Sequence, residues 1–515
     1  MKNLLNKVLI LTSSTVIPYV ASAADIYVDA NASLGGNGSE SMPYTTLNES
    51  LENIVVGEAN TIHTTGMFHE YLEVGPTYGG LDEYTRTTIQ GWEGHDRPVN
   101  DATGTEIPGD IFDLTGAYIT LRGFEVIGAK SAANIWSGNG AHHVIVEDCI
   151  THGARGNNSK GICFRGSRDA IIRNNIAYDI DEVGIYIPGQ GSINAEVYNN
   201  ISYGNGRYGI KGVDWADNLH IHDNLVYENG HLGDRLDISG ISYTSSQPHM
   251  ARGIKIEHNT ILDEAKGIFI GSGYDLLVNG NIIARGTENG IVVADSDSVT
   301  LEDNVIGGFT VGVDVHDSYA TSIRRNIIQE NRRFGIAANF NDNMGIGNNI
   351  ISDNVIGGVS FTDTPSFAFV HNTLAYNPTA VSYSTTQPLT PKARVFNNVF
   401  SHSVTTVFRV NSPDPLNNVQ LDYNAYSSNN YYAFIGGKRY STNGDMCDDL
   451  NRDCNSIGVS DPGYINSSEG DYHLRVDSPL IGAGNLSKSL PNDLDRQKRF
   501  LDSEVDIGAD EFVQP

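Results

Sequence analysis

A chain of 515 residues with 39% hydrophobic content has ample apolar material for an extended core, which excludes a disordered chain. Its formal net charge of −29 excludes a nucleic-acid surface, because phosphate binding requires a basic field. Beyond the first two dozen residues no apolar run approaches the length needed to cross a bilayer, so no membrane span is expected.

Residues 1–23 read as an export signal. Lys2 and Lys7 supply the positive start, residues 8–20 are mostly apolar, and Ala21-Ser22-Ala23 fits a small-residue cleavage site. The expected mature protein is a secreted monomer, extracellular or periplasmic. Residues 24–116 read as an N-terminal cap with the first coils of a solenoid: Ile26-Tyr27-Val28 opens, Gly35-Gly36-Asn37-Gly38 and Pro43-Tyr44 follow, and 46–55 reads as a short capping helix.

Residues 117–440 carry a repeat. Its unit is a short β-branched strand, an Asn, an apolar pair, a polar turn, Gly-Ile or Gly-Val, and an alternating strand. The Asn recurs at Asn175, Asn200, Asn224, Asn259, Asn281, Asn304, Asn326, Asn349, Asn372, Asn398 and Asn424, at intervals of 22 to 26 residues apart from one of 35. Period-two strands and Asn/Gly turns select a coil of strands, and only stacked coils bury their Ile and Val columns. The expected fold is all-β, a right-handed single-stranded parallel β-helix, with the Asn side chains forming an internal ladder.

Residues 441–515 leave the repeat and read as a C-terminal loop and closing extension, with the break from 461 to 512. Cys447 and Cys454 are expected to close a disulfide, while Cys149 and Cys163 either pair or stay as buried thiols. The acidic stretch 445–453 offers oxygen ligands to Ca²⁺ or is simply solvated.

The opening Tyr27-Val28-Asp29 with its Gly-Asn-Gly and Pro43-Tyr44 resembles the first coil of secreted pectate-lyase-like β-helix proteins. The ending is similar too: Asp461-Pro462, Asp471-Tyr472-His473-Leu474, Asp477-Ser478-Pro479 and Asp506-Ile507-Gly508-Ala509-Asp510-Glu511. The resemblance implies the fold over nearly the whole mature chain. It spans lyases, hydrolases, epimerases and surface proteins, so it does not fix the reaction. The chain carries Asp234-Arg235-Leu236-Asp237 and Gly209-Ile210-Lys211 in the reverse of the order a calcium-dependent pectate lyase family uses. The Asp-Pro-His of alginate epimerases is absent, with Asp214-Trp215 near its place, and so is the Gly-His-Gly of polygalacturonase-like hydrolases.

The strand after each Gly-Ile/Val defines the candidate groove. Alternation places Ile162, Phe164, Ile185 and Ile187 inside. The outward column then reads Cys163, Tyr186, Lys211, Asp237 or Ser239, Phe269, Val292 and Asp314, with Arg165 and His316 one column over. The 35-residue interval inserts His231, Asp234, Arg235, Tyr243 and His249 beside the same coils, and long loops on rigid scaffolds are where sites sit. Residues 150–270 hold 11 Lys+Arg against 14 Asp+Glu, a less acidic balance than the whole chain.

This set suits β-elimination on an anionic uronate polymer such as alginate or pectate. The C5 proton leaves only when the neighbouring carboxylate is neutralised, by Ca²⁺ or Arg, and a positioned base abstracts it. Lys211 is the candidate base, Arg165 and Arg235 the carboxylate forks, and Tyr186, Tyr243 or His249 the proton donor. Asp214, Asp234 and Asp237 are candidate Ca²⁺ ligands, and Trp215, Tyr208 and His231 candidate sugar contacts. Three other readings stay open: a glycoside hydrolase using Asp214 and Asp237, a uronan epimerase, and a non-catalytic surface solenoid.

Overall fold

The computed structural model describes residues 24–513 except 108, 190, 233–236, 248–250, 386–392, 404, 412–418, 428–430 and 500–503. The candidates Asp234, Arg235 and His249, and the export signal at 1–23, lie outside the described residues.

One coil shows how the chain winds. Ile145–Glu147 lies in a first sheet, Ile150–His152 in a second and Lys160–Arg165 in a third, after which Ile171–Arg173 returns to the first. Among the described residues each of these sheets holds 16 strands, paired in parallel except where Lys438–Tyr440 folds back antiparallel on Tyr431–Ile435 at the end of the third. Parallel crossovers of this kind are right-handed. Register is kept from coil to coil: Ile145 pairs Ile171, Ile150 pairs Ile176, and Ile162 pairs Ile185. The winding starts with Ala24–Asp29, well before the Asn repeat begins. The helix Leu47–Leu51 starts on a Thr46–Glu49 capping box and buries Leu47 and Leu51.

The corner between the first and second sheets explains the repeat. The residue before each ladder Asn adopts a left-handed backbone, as at Asn174, Asn199, Asp223 and Asn348, which Asn and Asp tolerate best. The Asn behind it turns into the interior. Asn175 N–H and Nδ2 both donate to Asn200 Oδ1, at 2.9 and 3.0 Å, and the pattern continues to Asn424, whose N–H donates to Ser456 Oγ. These amides are fully enclosed, so every donor and acceptor they satisfy stabilises the stack.

The second-to-third corner carries a shorter ladder, Asn205 to Asn229 to Glu264. Glu264 ends it. One of its oxygens accepts from Asn229 while Oε2 has no partner, and burial pushes its carboxyl up to about 7.

The closing extension packs on the outer face of the second sheet. Tyr464, Tyr472, Leu474, Leu480 and Ile507 cover Ile350, Val399 and Ala425. The extension is also pinned to three successive corners: Asn348 donates to Asn492 O, His371 meets Ser489 Oγ at 2.7 Å, and Asn397 exchanges bonds with Asn485. Buried Arg499 joins Glu511 and Asn348 beneath it.

Cys447 and Cys454 form the expected disulfide. The stretch expected to be an acidic loop is instead the helix Asn443–Leu450, capped by Thr442. Its Asp445 completes the capping box and its Asp449 binds Lys438 and Tyr440, so neither is left to a metal. Cys149 and Cys163 do not pair; both are buried free thiols.

Candidate functional site

The groove lies on the outer face of the third sheet. Its outward column, read from the pairing register, is Glu73, Asp113, Trp136, Cys163, Tyr186, Lys211, Ser242, Phe269. Ser242 therefore stands where Asp237 or Ser239 was expected. Asp237 precedes the strand and reaches back over the edge to Lys211.

A kink adds a second row of groove residues. Gly161, Gly184 and Gly209 face the lumen together with the Ile that follows each of them. A Cβ on Gly184 would come within 2.2 Å of Ser202 Oγ, and one on Gly209 within 2.5 Å of Val226 Cγ1. Two consecutive inward residues reverse the alternation, so the residue before each Gly points outward: Lys160, Val183, Tyr208. Val183, Tyr208 and Ile238 form a small cluster apart from the main core, with Tyr186 against it.

These rows enclose two adjoining cavities of about 530 and 370 Å³ that share Asn158, Lys160 and Tyr186. The larger also meets Asp110, Trp136, Arg165 and Asp214, and the smaller meets Glu182, Arg207 and Lys211.

Charge is arranged along the floor. The Lys211 ammonium is 2.7 Å from Asp237 Oδ2 and 3.8 Å from the centre of the Tyr208 ring, with the lysine only 7% exposed. Burial pushes the Asp237 carboxyl up, but its hydrogen bonds with Lys211 and Tyr208 win and hold it below the usual range. Lys160 is equally enclosed. Burial lowers its ammonium against the pull of Glu182, 3.6 Å away, and its Nζ donates to Asn158 O. Glu182 is shared with Arg207. Burial pushes the Tyr186 hydroxyl up to about 12, so it keeps its proton at neutral pH.

The N-terminal end of the groove is acidic. Burial pushes Asp113 up to about 6, with Asp110 and Glu73 adding repulsion, while Tyr71 O–H donates to Asp113 Oδ2 at 3.2 Å. Asp110 accepts from Ala133 N–H and is also raised by burial.

Of the residues singled out in the sequence, Arg165, Tyr186, Lys211 and Asp237 come together here. Tyr208 joins them as the buried ring beneath Lys211, not as a sugar platform. Tyr243 is displaced from the site altogether. It lies on the strand Ser239–Thr244 with its ring in the core, 1% exposed, and its hydroxyl donates to Asp214 O. Asp214 lines the larger cavity, but its Oδ1 accepts from Ser246 N–H. Trp215 is 52% exposed and lines neither cavity, and exposed His231 lines neither. The described candidates for Ca²⁺ are thus engaged elsewhere, Asp214 by a turn and Asp237 by an ammonium, and do not fit an open oxygen cage. Further down, Asp314 accepts from Asn289 and His316 faces Asp317.

The sequence reading missed Lys160, Glu182, Arg207, Trp136, Asp110 and Asp113. The recurring Gly-Ile pair was the available signal for Lys160, since it marks where the alternation reverses. Trp136 follows Asn134-Ile135 and carries no such mark.

A family model described as right handed beta helix region matches residues 111–283, and one described as periplasmic copper-binding protein (NosD) matches 233–438. No curated protein matches the chain in sequence. Among solved structures, a XylC complex with xylose is 13% identical (TM-score 0.41), covering 95% of this chain and 98% of its own. Pectate lyase Pel9A is 14% identical (TM-score 0.36), covering 96% and 97%. The periplasmic alginate epimerase AlgG is 14% identical (TM-score 0.45), covering 70% and 85%. At such identities and scores these structures carry no argument about activity. The fold itself is a right-handed parallel β-helix.

Proposed function

We propose that this right-handed β-helix is an exported polysaccharide lyase that cleaves a uronate-containing polymer by β-elimination in the third-sheet groove. The observation that carries the reading is the pairing of a desolvated amine, Lys160, with a hydroxyl that stays protonated, Tyr186, in one cavity whose rim holds Arg165.

In this reading Arg165 and the charged Lys211 neutralise substrate carboxylates, which acidifies the C5 proton. Neutral Lys160 takes that proton. The C5–H electrons form the C4–C5 double bond, the C4–O glycosidic bond breaks, and Tyr186 gives its proton to the leaving oxygen. Lys160 ends as the ammonium and Tyr186 as the phenolate, and exchange with solvent restores both. Lys211 is not the base, because Asp237 and the Tyr208 ring favour its charged form. No step passes through calcium. The disulfide fits an oxidising compartment outside the cytoplasm.

A copper site finds no support in the donor set. Among the described residues the cluster able to hold a metal is His473, Asp495 and Asp510, outside the span matched by the copper-binding model.

The test is product analysis on uronate polymers with the mature chain. Unsaturated uronate ends that vanish in Lys160→Ala support the reading. Reducing ends without unsaturation, or no product from any uronate polymer, overturn it.

A further inference from the structure

We infer that Glu182 is a positioning residue that governs when Lys160 gives up its proton, and that Arg207 tunes it by holding the same carboxylate. The role of Lys160 as base rests on the elimination reading above; the coupling of the three groups does not.

Lys160 pairs Val183, and Val183 pairs Tyr208, on three successive coils. Glu182 and Arg207 stand just before the second and third of these strands. The step between them is fixed by backbone, since Arg207 and Tyr208 N–H both donate to Glu182 O, at 2.9 and 3.1 Å. Glu182 therefore lies between two cations and divides its carboxylate. Its Oε1 accepts from Arg207 Nη1, while its Oε2 faces Lys160 Nζ at 3.6 Å. Lys160 and Arg207 are buried and Glu182 is largely enclosed, so solvent screens little of the attraction. A carboxylate engaged by a guanidinium, which keeps its proton, holds a neighbouring ammonium less tightly. Lys211 shows the contrast: its ammonium meets Asp237 directly, at 2.7 Å.

The amine is held in either state. Lys160 Nζ donates to Asn158 O at 2.7 Å and also to Asn158 Oδ1. Those bonds use two hydrogens, all that a neutral amine carries, and the third hydrogen of the ammonium is the one Glu182 attracts. Its loss costs neither bond to Asn158. The other groups facing the amine do not compete for this role. Burial pushes the Cys163 thiol and the Tyr186 hydroxyl up to about 12, so both are uncharged at neutral pH. Asp110 pulls in the same direction as Glu182 but more weakly, and its Oδ1 is taken by Ala133 N–H.

The experiment titrates Lys160 in the mature chain through the chemical shift of its 13C-labelled Cε, the signal assigned by its absence in Lys160→Arg. The pH dependence of unsaturated product from polygalacturonate and polymannuronate is read in parallel. Glu182→Gln, which keeps an acceptor for Arg207, is expected to lower the midpoint by about one pH unit. Arg207→Gln leaves the whole carboxylate to Lys160 and is expected to raise it, and Arg207→Lys to bring it back toward the wild-type value. Opposite movements from the two glutamine variants are what a merely structural role would not produce. A midpoint that Glu182→Gln leaves unchanged or raises overturns the inference, as does one that Arg207→Gln lowers or leaves in place. The expected shifts without unsaturated product from either polymer uphold the coupling and overturn the elimination reading instead.

Discussion

Lys211 and Asp237 close an ion pair at 2.7 Å, with the Tyr208 ring 3.8 Å from the ammonium on its other side. The pair bridges a strand of the third sheet, Tyr208–Val213, and a segment inside the longest interval of the repeat, between Asn224 and Asn259. Removing the acid takes the carboxylate from an enclosed ammonium. Asp237→Ala is expected to destabilise the protein by about 2 kcal/mol, less than a fully dry pair because Asp237 is partly exposed. Urea unfolding of the variant against the wild type measures it.

Lys160 should behave as a base whose working form is neutral. Burial lowers its ammonium, so activity rises with pH through a value below that of an ordinary lysine, on the ascending limb of the rate profile. Lys160→Met is expected to cost about 100-fold or more in kcat. Lys160→Arg should be as inactive, since guanidinium stays protonated, and an active Lys160→Arg enzyme contradicts the role.

Glu264 provides a pH-dependent stability. Its carboxyl titrates near 7 in the folded chain against 4.5 as the ordinary value, so the folded state holds the proton more tightly. That stabilisation is complete below about 4.5 and is lost as pH rises through about 7, amounting to about 3 kcal/mol. Glu264→Gln keeps the bond to Asn229 and has no charge to bury. Thermal melts at pH 5 and pH 8 should show the variant gaining over the wild type chiefly at pH 8.

The Asn ladder should be cooperative. Asn304 accepts from Asn281 and donates to Asn326 Oδ1 at 2.9 Å and to Val278 O at 3.0 Å. Asn304→Leu strands several buried polar groups at once, for an expected loss of about 3 kcal/mol. Hydrogen exchange should show the added opening centred on the coils on either side.

The fold was legible because one corner repeats: a left-handed residue and an inward amide leave an Asn signature that spacing alone exposes. The groove was half legible. Cys163, Tyr186 and Lys211 follow strict alternation from their Gly-Ile pairs, as the sequence suggests. Lys160 does not, because Gly161 and Ile162 both face inward and reverse the parity before it. The same signature at Gly240-Ile241 marks Ser242 as outward and Tyr243 as inward. Reading that segment as an insertion loop, rather than as another coil, is what misplaced Tyr243. The acid end escaped notice because Asp110 and Asp113 precede the Asn repeat, where no periodic marker points to them.

The pinning of the closing extension has a consequence for how the molecule is completed. Asn485, Ser489 and Asn492 hold corners contributed by Asn397, His371 and Asn348, so stretches of chain made roughly a hundred residues apart are stapled together last. A ribosome must therefore finish nearly the entire polypeptide before the distal half of the rod acquires its outer wall. Until then Ile350, Val399 and Ala425 face water, and a chain cut short near residue 460, before Tyr464, would carry that bare apolar strip permanently, inviting association with its neighbours.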